Sequence, residues 1–134
     1  MKIISVIIVT YNSNELIEDC LNSIILYNDI GEKLEIVVVD NSSQEVYYRL
    51  EEIILKKYPI VDKLVYSGSN LGYGAGNNLG ILHASGKYLH IMNPDARLFM
   101  PIYAYINSKF DSSDYALIGL NEINEFGLKN NSFF

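Results

Sequence analysis

The sequence predicts an α/β fold built on a mostly parallel sheet, and three observations carry that prediction. Short runs rich in Ile and Val alternate with segments whose apolar residues recur at helical spacing. The first two runs are apolar almost without interruption, the pattern of strands buried on both faces. Four of the strand-like runs lead into polar residues, among them Asn12, Asp40, Asn70 and Asp95. In open parallel sheets ligands bind beyond the carboxyl ends of the strands, so those polar residues are the candidates for function.

Residues 3–9 form the first run. With Lys2 ahead of it the start superficially resembles a signal peptide. The stretch is short, β-branched and followed at once by Tyr11-Asn12, with no small-residue cleavage site, so it reads as a strand. In SNELIEDCLNSIILY the apolar residues Leu16, Ile17, Cys20, Leu21, Ile24 and Ile25 fall at helical spacing, with Ser13 or Asn14 as N-cap. Residues 34–39 form a second buried strand that ends in Asp40. Ser42 or Ser43 can cap a second helix running to about Lys57, which Pro59 stops. Residues 62–66 make a third, short strand. The Gly/Asn-rich loop SGSNLGYGAGNN then enters a helical stretch ending near Ser85-Gly86. Residues 88–92 read as a fourth strand, buried, and Asn93, Pro94 and Asp95 are turn formers. Pro101 can open another helix, and residues 116–120 read as a fifth strand. With no repeats, low-complexity segments or linker, the 134 residues read as one domain.

A hydrophobic fraction of 49% supports a real core. The net charge of -6 and the scattered Lys and Arg argue against a nucleic-acid partner, because neutralising a phosphate backbone takes clustered cations. A bound phosphate would have to be held by backbone N–H groups, amides or a metal. The single Cys20 has no internal disulfide partner and reads as a buried thiol in a reducing compartment. No apolar run approaches the roughly 18 residues of a membrane span. The dinucleotide fingerprint fails because the turn after the first strand, TYNSNE, has no glycine. GILHASGKY fails as a P-loop in both glycine spacing and its Tyr88.

In this order and at these intervals, VIIVTYNS, EIVVVDNSS and SNLGYGAGNNLGILHASGKYLHIMNPDARL resemble the nucleotide-sugar-binding half of a family 2 glycosyltransferase. That implies a Rossmann-like GT-A fold, and the resemblance runs from about Lys2 to about Phe126. The Asn-Pro-Asp turn is similar to that of rhamnosyltransferase-like enzymes of bacterial surface-polysaccharide assembly.

The resemblance implies that Thr10, Tyr11 and Asn12 contact the base and ribose. It matches Asp40 to the acid that accepts a hydrogen bond from the base ring N–H, with Asn41 beside it. Asn70 and the following glycines form a third contact, Gly72, Gly74 and Gly76 being expected to turn with positive φ and approach the ligand closely. The N–H groups at the start of the next helix suit an anionic diphosphate. Asn77 and Asn78 add amide donors there, Asn78 matching the family's more regular position. The family's usual turn is Asp-x-Asp, which holds a divalent cation. Here Asn93 stands at the first position and only Asp95 aligns with the metal-binding acid. Mg²⁺ or Mn²⁺ at Asp95 is therefore expected, with phosphates and waters completing its octahedron. Local readings stand beside these: Asp40 as an acid capping the next helix, Asp95 as a turn former, and the glycines as tight packing. His90 reads as packed core and His83 as helix surface.

In the family the base that deprotonates the acceptor lies in the second half of the catalytic domain. The chain thus reads as a donor-binding half, its GLNEINEFGLKNNSFF standing where the acceptor region begins. Asp111, Asp114, Glu122 and Glu125 are nearby acids with no motif to recommend them. Two functions follow. One is a glycosyltransferase that moves a sugar from a dTDP- or UDP-sugar to a glycan or lipid-linked acceptor in surface-polysaccharide synthesis. The other is a nucleotide-sugar-binding module with no transfer activity of its own. The resemblance implies a cytoplasmic setting at the inner face of the membrane, compatible with peripheral membrane association and a homo-oligomer.

Overall fold

The structure is a computed structural model in which residues 1–124, 126 and 127 are described. Strands β1 (Ile4–Thr10), β2 (Leu34–Asp40), β3 (Lys63–Tyr66) and β4 (Tyr88–Met92) alternate with helices α1 (Ile17–Tyr27), α2 (Gln44–Lys57), α3 (Tyr73–His83) and α4 (Tyr103–Asp111). The strands form one all-parallel sheet in the order β3-β2-β1-β4. β1 and β2 occupy its centre, and every residue of both is buried, as their nearly continuous apolar runs predict.

Side chains alternate between the two faces. Ile4, Val6, Ile8, Ile36 and Val38 pack with α1, α2 and Tyr103 of α4 on one side. Ile7, Val9, Val37 and Val39 pack with Leu79 of α3 on the other. Helix α3 changes face because the chain reverses direction across the sheet, returning from the β3 edge to lay β4 on the far side of β1. Right-handed crossovers put a returning helix on the opposite face. This reversal makes the gap between the ends of β1 and β4 a topological switch point, where such sheets bind ligands.

The far end of the sheet is closed by a buried polar clasp. Glu35, 2% exposed, accepts hydrogen bonds from the hydroxyl of Ser5, from Ser85 N at 2.7 Å and from Ser85 Oγ at 2.8 Å. Lys63 pairs with it at 3.0 Å. Together these groups tie the α3–β4 connection to the starts of β1, β2 and β3.

Three expectations are corrected. β4 is an edge strand, not a buried one: its residues alternate, leaving Leu89 and Ile91 44% and 43% exposed. Residues 116–120 form no strand, and Leu117 is 87% exposed, because an apolar run without a pairing partner has no ladder to join. Helix α1 begins at Ile17 with no side-chain cap, the Ser13 hydroxyl being turned back onto the carbonyl of Tyr11 at 3.0 Å. Ser43 does cap α2, accepting from Val46 N. Among the described residues no helix is long and apolar enough to cross a membrane.

Candidate functional site

The ends of β1 and β2 are locked together around Asp40, which is fully buried. Its Oδ1 accepts from Thr10 Oγ1 at 2.8 Å and from Ser42 Oγ at 2.7 Å. Ser42 in turn accepts the backbone N–H of Asn12 at 2.8 Å. Asn12 adopts φ 52, the only non-glycine among the described residues with positive φ, a conformation Asn tolerates better than most. Ser67 caps the arrangement from β3, its N and Oγ donating to the Asp40 carbonyl at 3.1 and 3.0 Å. The other carboxylate oxygen, Oδ2, is buried and has no partner. Tyr66, the sheet neighbour of Asp40, stacks on Tyr47 of α2 with ring centroids 4.6 Å apart.

Helix α3 delivers the second group of residues. Asn41 Nδ2 donates to the Gly72 carbonyl at 3.0 Å, while its Oδ1 is buried and unpartnered. Asn70 Oδ1 accepts Gly72 N at 3.1 Å, closing a local turn. Of the three glycines expected to turn with positive φ, only Gly72 does so, at 81°. Gly74 and Gly76 are helical, which corrects that expectation. A Cβ on Gly76 would lie 2.7 Å from Val9 Cγ1 and 2.9 Å from Asn41 Nδ2, so this glycine lets the helix approach the sheet, not a ligand. Asn77 points inward, with its Oδ1 buried and unpartnered, and Asn78 is exposed.

The third group is the turn after β4. Asn93 and Asp95 are exposed. The turn closes through Ala96 N donating to the Asn93 carbonyl at 3.1 Å, and the Cys20 thiol faces the same carbonyl at 3.8 Å. Burial, reinforced by the negative charge of Asp95, pushes that thiol up to about 12. Tyr73 OH donates to Asn93 Oδ1 at 2.6 Å, so this turn meets the start of α3. Among the described residues no group of three His, Cys, Asp or Glu is gathered around a common point. One exposed carboxylate fits a hard divalent cation only as part of a shell, the remainder coming from ligand oxygens and water.

The strand-end residues named from the sequence are thus joined in three pairs: Thr10 with Asp40, Asn41 with Gly72, and Asn93 with the start of α3. Tyr11 is 53% exposed beside them. Sequence reasoning missed Ser42 and Ser67 as supports of Asp40, and Tyr73. Their positions directly after a strand-end acid, after β3 and within the glycine loop were the available signal. His90 is part-buried, its Nδ1 3.2 Å from Tyr103 OH, and burial lowers its pKa to about 4. His83 is on the surface. Asp111 is engaged by Lys87 and Tyr88 at 3.0 and 2.6 Å, and Glu125 lies outside the described residues.

A buried, half-satisfied carboxylate at the strand ends, a helix N-terminus entered through a positive-φ glycine, and a switch point between β1 and β4 define the ligand-binding edge of an open α/β sheet. Residues 5–101 match the model of glycosyl transferase family 2, and the chain belongs to that family. It is 32% identical over 135 residues to a poly(ribitol-phosphate) beta-glucosyltransferase of Bacillus spizizenii, covering 97% of this chain and 21% of that protein. It is 31% identical over 131 residues to the low-salt glycan biosynthesis hexosyltransferase Agl10 of Haloferax volcanii, covering 93% of this chain and 38% of that protein. The chain therefore spans well under half of either relative. The architecture is the GT-A fold of solved glycosyltransferases. Mannosyltransferase PcManGT from Pyrobaculum calidifontis, in complex with GDP-Man and Mn²⁺, superposes with TM-score 0.65 at 29% identity over 74% of this chain and 29% of that one. S. aureus TarS 1-349 in complex with UDP shares the fold at TM-score 0.69 and 24% identity, over 84% of this chain and 32% of that one.

Proposed function

We propose that residues 1–134 are the donor-binding part of an inverting glycosyltransferase. It would move a sugar from a dTDP- or UDP-sugar to a glycan or lipid-linked acceptor in surface-polysaccharide synthesis. The observation that carries this reading is Oδ2 of Asp40. A buried carboxylate oxygen without a partner is costly, and a ring N–H arriving at the strand ends would supply the missing donor. Thr10 and Ser42 hold the carboxylate in place for that contact. Tyr11 and Asn12 face the base and ribose, while Asn41, Asn70, Gly72 and Asn78 with the start of α3 receive the diphosphate. Gly76 serves the same site from behind, by seating α3 against Val9 and Asn41. The Asn93-Pro94-Asp95 turn favours a rhamnosyl donor, dTDP-rhamnose.

Asp95 would hold Mg²⁺ or Mn²⁺ together with diphosphate oxygens and water. The bound cation supplies charge balance for the leaving nucleoside diphosphate. The acceptor hydroxyl would attack the anomeric carbon as that carbon's bond to the diphosphate oxygen breaks, and the hydroxyl proton would go to a carboxylate base in the acceptor-binding part. Titration calorimetry with UDP, dTDP and GDP, in Mn²⁺ and in EDTA, tests the reading. Binding of at least one is expected in Mn²⁺, and much weaker binding in EDTA. Absence of binding by all three in Mn²⁺ rejects the donor site, and equal affinity in EDTA rejects the metal role.

A further inference from the structure

Tyr73 opens α3 directly after Gly72, and its hydroxyl donates to Oδ1 of Asn93 at 2.6 Å. The bond joins two elements that are each anchored independently. Gly72 is held through its carbonyl by Asn41 at 3.0 Å and through its N–H by Asn70 at 3.1 Å. The Asn93 backbone carbonyl is held by Ala96 N at 3.1 Å, above the Cys20 thiol. The tyrosine hydroxyl therefore does not position either backbone. What it selects is the orientation of the Asn93 carboxamide. With Oδ1 committed to a phenol, the exposed side chain offers Nδ2, which is a donor only.

We infer that Tyr73 is a positioning residue that makes Asn93 a hydrogen-bond donor to the diphosphate of a nucleotide ligand, and not a ligand of the cation. A carboxamide binds a hard cation through its oxygen, and here the phenol fills one of that oxygen's two acceptor sites and competes with a cation for it. Its N–H group complements a phosphate oxygen instead. The turn thus exchanges a second metal carboxylate for a neutral phosphate contact, and the cation is left to Asp95. This inference rests on the donor-site reading above.

Tyr73→Phe keeps the ring and removes only the hydroxyl, and Tyr73 is half exposed, so the variant folds. UDP and dTDP are titrated into wild type and variant in Mn²⁺ by calorimetry, and uridine and thymidine by chemical-shift titration. The expected result is a loss of about three- to tenfold in diphosphate affinity, with nucleoside binding unchanged. In ¹⁵N-labelled wild type the Asn93 side-chain amide resonance shifts on adding the diphosphate, and in Tyr73→Phe that shift shrinks. If Oδ1 were a metal ligand instead, freeing it from Tyr73 would tighten diphosphate binding in Mn²⁺. Equal or tighter binding by Tyr73→Phe, or an unresponsive Asn93 amide in a wild type that binds, overturns the inference while leaving the donor site standing. A wild type that binds neither diphosphate removes the donor-site reading itself.

Discussion

Replacing Glu35 by Gln separates the charge of a buried side chain from its shape. Burial pushes this carboxyl upward, but hydrogen bonds from Ser5, from the backbone and hydroxyl of Ser85 and from Lys63 outweigh it, bringing the pKa from 4.5 down to about 2. Because the folded value lies below the unfolded one, the charged form stabilises the fold fully above about pH 4.5. That stabilisation is lost as the pH falls toward 2. At about 1.4 kcal/mol per pH unit, the difference corresponds to about 3 kcal/mol at neutral pH, a large fraction of the stability of an ordinary domain. Glu35→Gln should therefore lower the unfolding free energy by about 3 kcal/mol at pH 7, read from urea denaturation followed by circular dichroism. At pH 3 about half of the wild-type advantage has been titrated away, and the gap should narrow to about 1.5 kcal/mol. A gap below about 1 kcal/mol at pH 7, or the same gap at both pH values, refutes the reasoning.

Asp40→Asn should weaken UDP binding by about 1.5–3 kcal/mol and leave pyrophosphate binding unchanged in paired titrations; no change in either leaves Asp40 a turn acid. Gly80→Ala places a Cβ 2.5 Å from Ile7 Cγ2 and 3.2 Å from Val39 Cγ2. It should destabilise by about 1–3 kcal/mol in urea. Gly74→Ala, with nothing within 4 Å, should stabilise by up to about 1 kcal/mol. Because the proposed reading puts the acceptor's base outside these residues, the chain by itself should release nucleoside diphosphate from a saturating donor no faster when glycosyl acceptors are added, the lack of a positioned base costing typically about 10²–10⁴-fold. Asp95→Ala should abolish any slow donor hydrolysis that remains. Acceptor-dependent turnover would point to a base among Asp111, Asp114, Glu122 or Glu125.

The alternation of elements was legible because it rests on consecutive residues. Two nearly continuous Ile/Val runs read as strands covered on both faces, and β1 and β2 are buried throughout. The binding edge was legible for the same reason: once the strands are parallel, Thr10, Asp40 and Asn93 must come out at one end. The fourth and fifth strands were harder. Residues 88–92 and 116–120 are comparably apolar, yet one pairs with β1 and the other with no strand among the described residues. Apolar character makes a run fit for a sheet but does not supply the neighbouring strand.

The sequence by itself determined the α/β class, the parallel run of the core strands and the residues at the strand ends. Only the tertiary structure decided what each of those residues does there. Gly76 looked like a ligand-facing turn and is a packing glycine, because Val9 and Asn41 lie where its Cβ would be. Asp40 has one oxygen spent on Thr10 and Ser42 and the other buried without a partner. Asn93 has its carbonyl end taken by Tyr73, twenty positions earlier in the chain. Periodicity and turn preference are local properties, set by backbone geometry over a few residues. Which side of a carboxylate or carboxamide stays free depends on partners brought by other elements, and their distance exists only once the chain has crossed the sheet and returned.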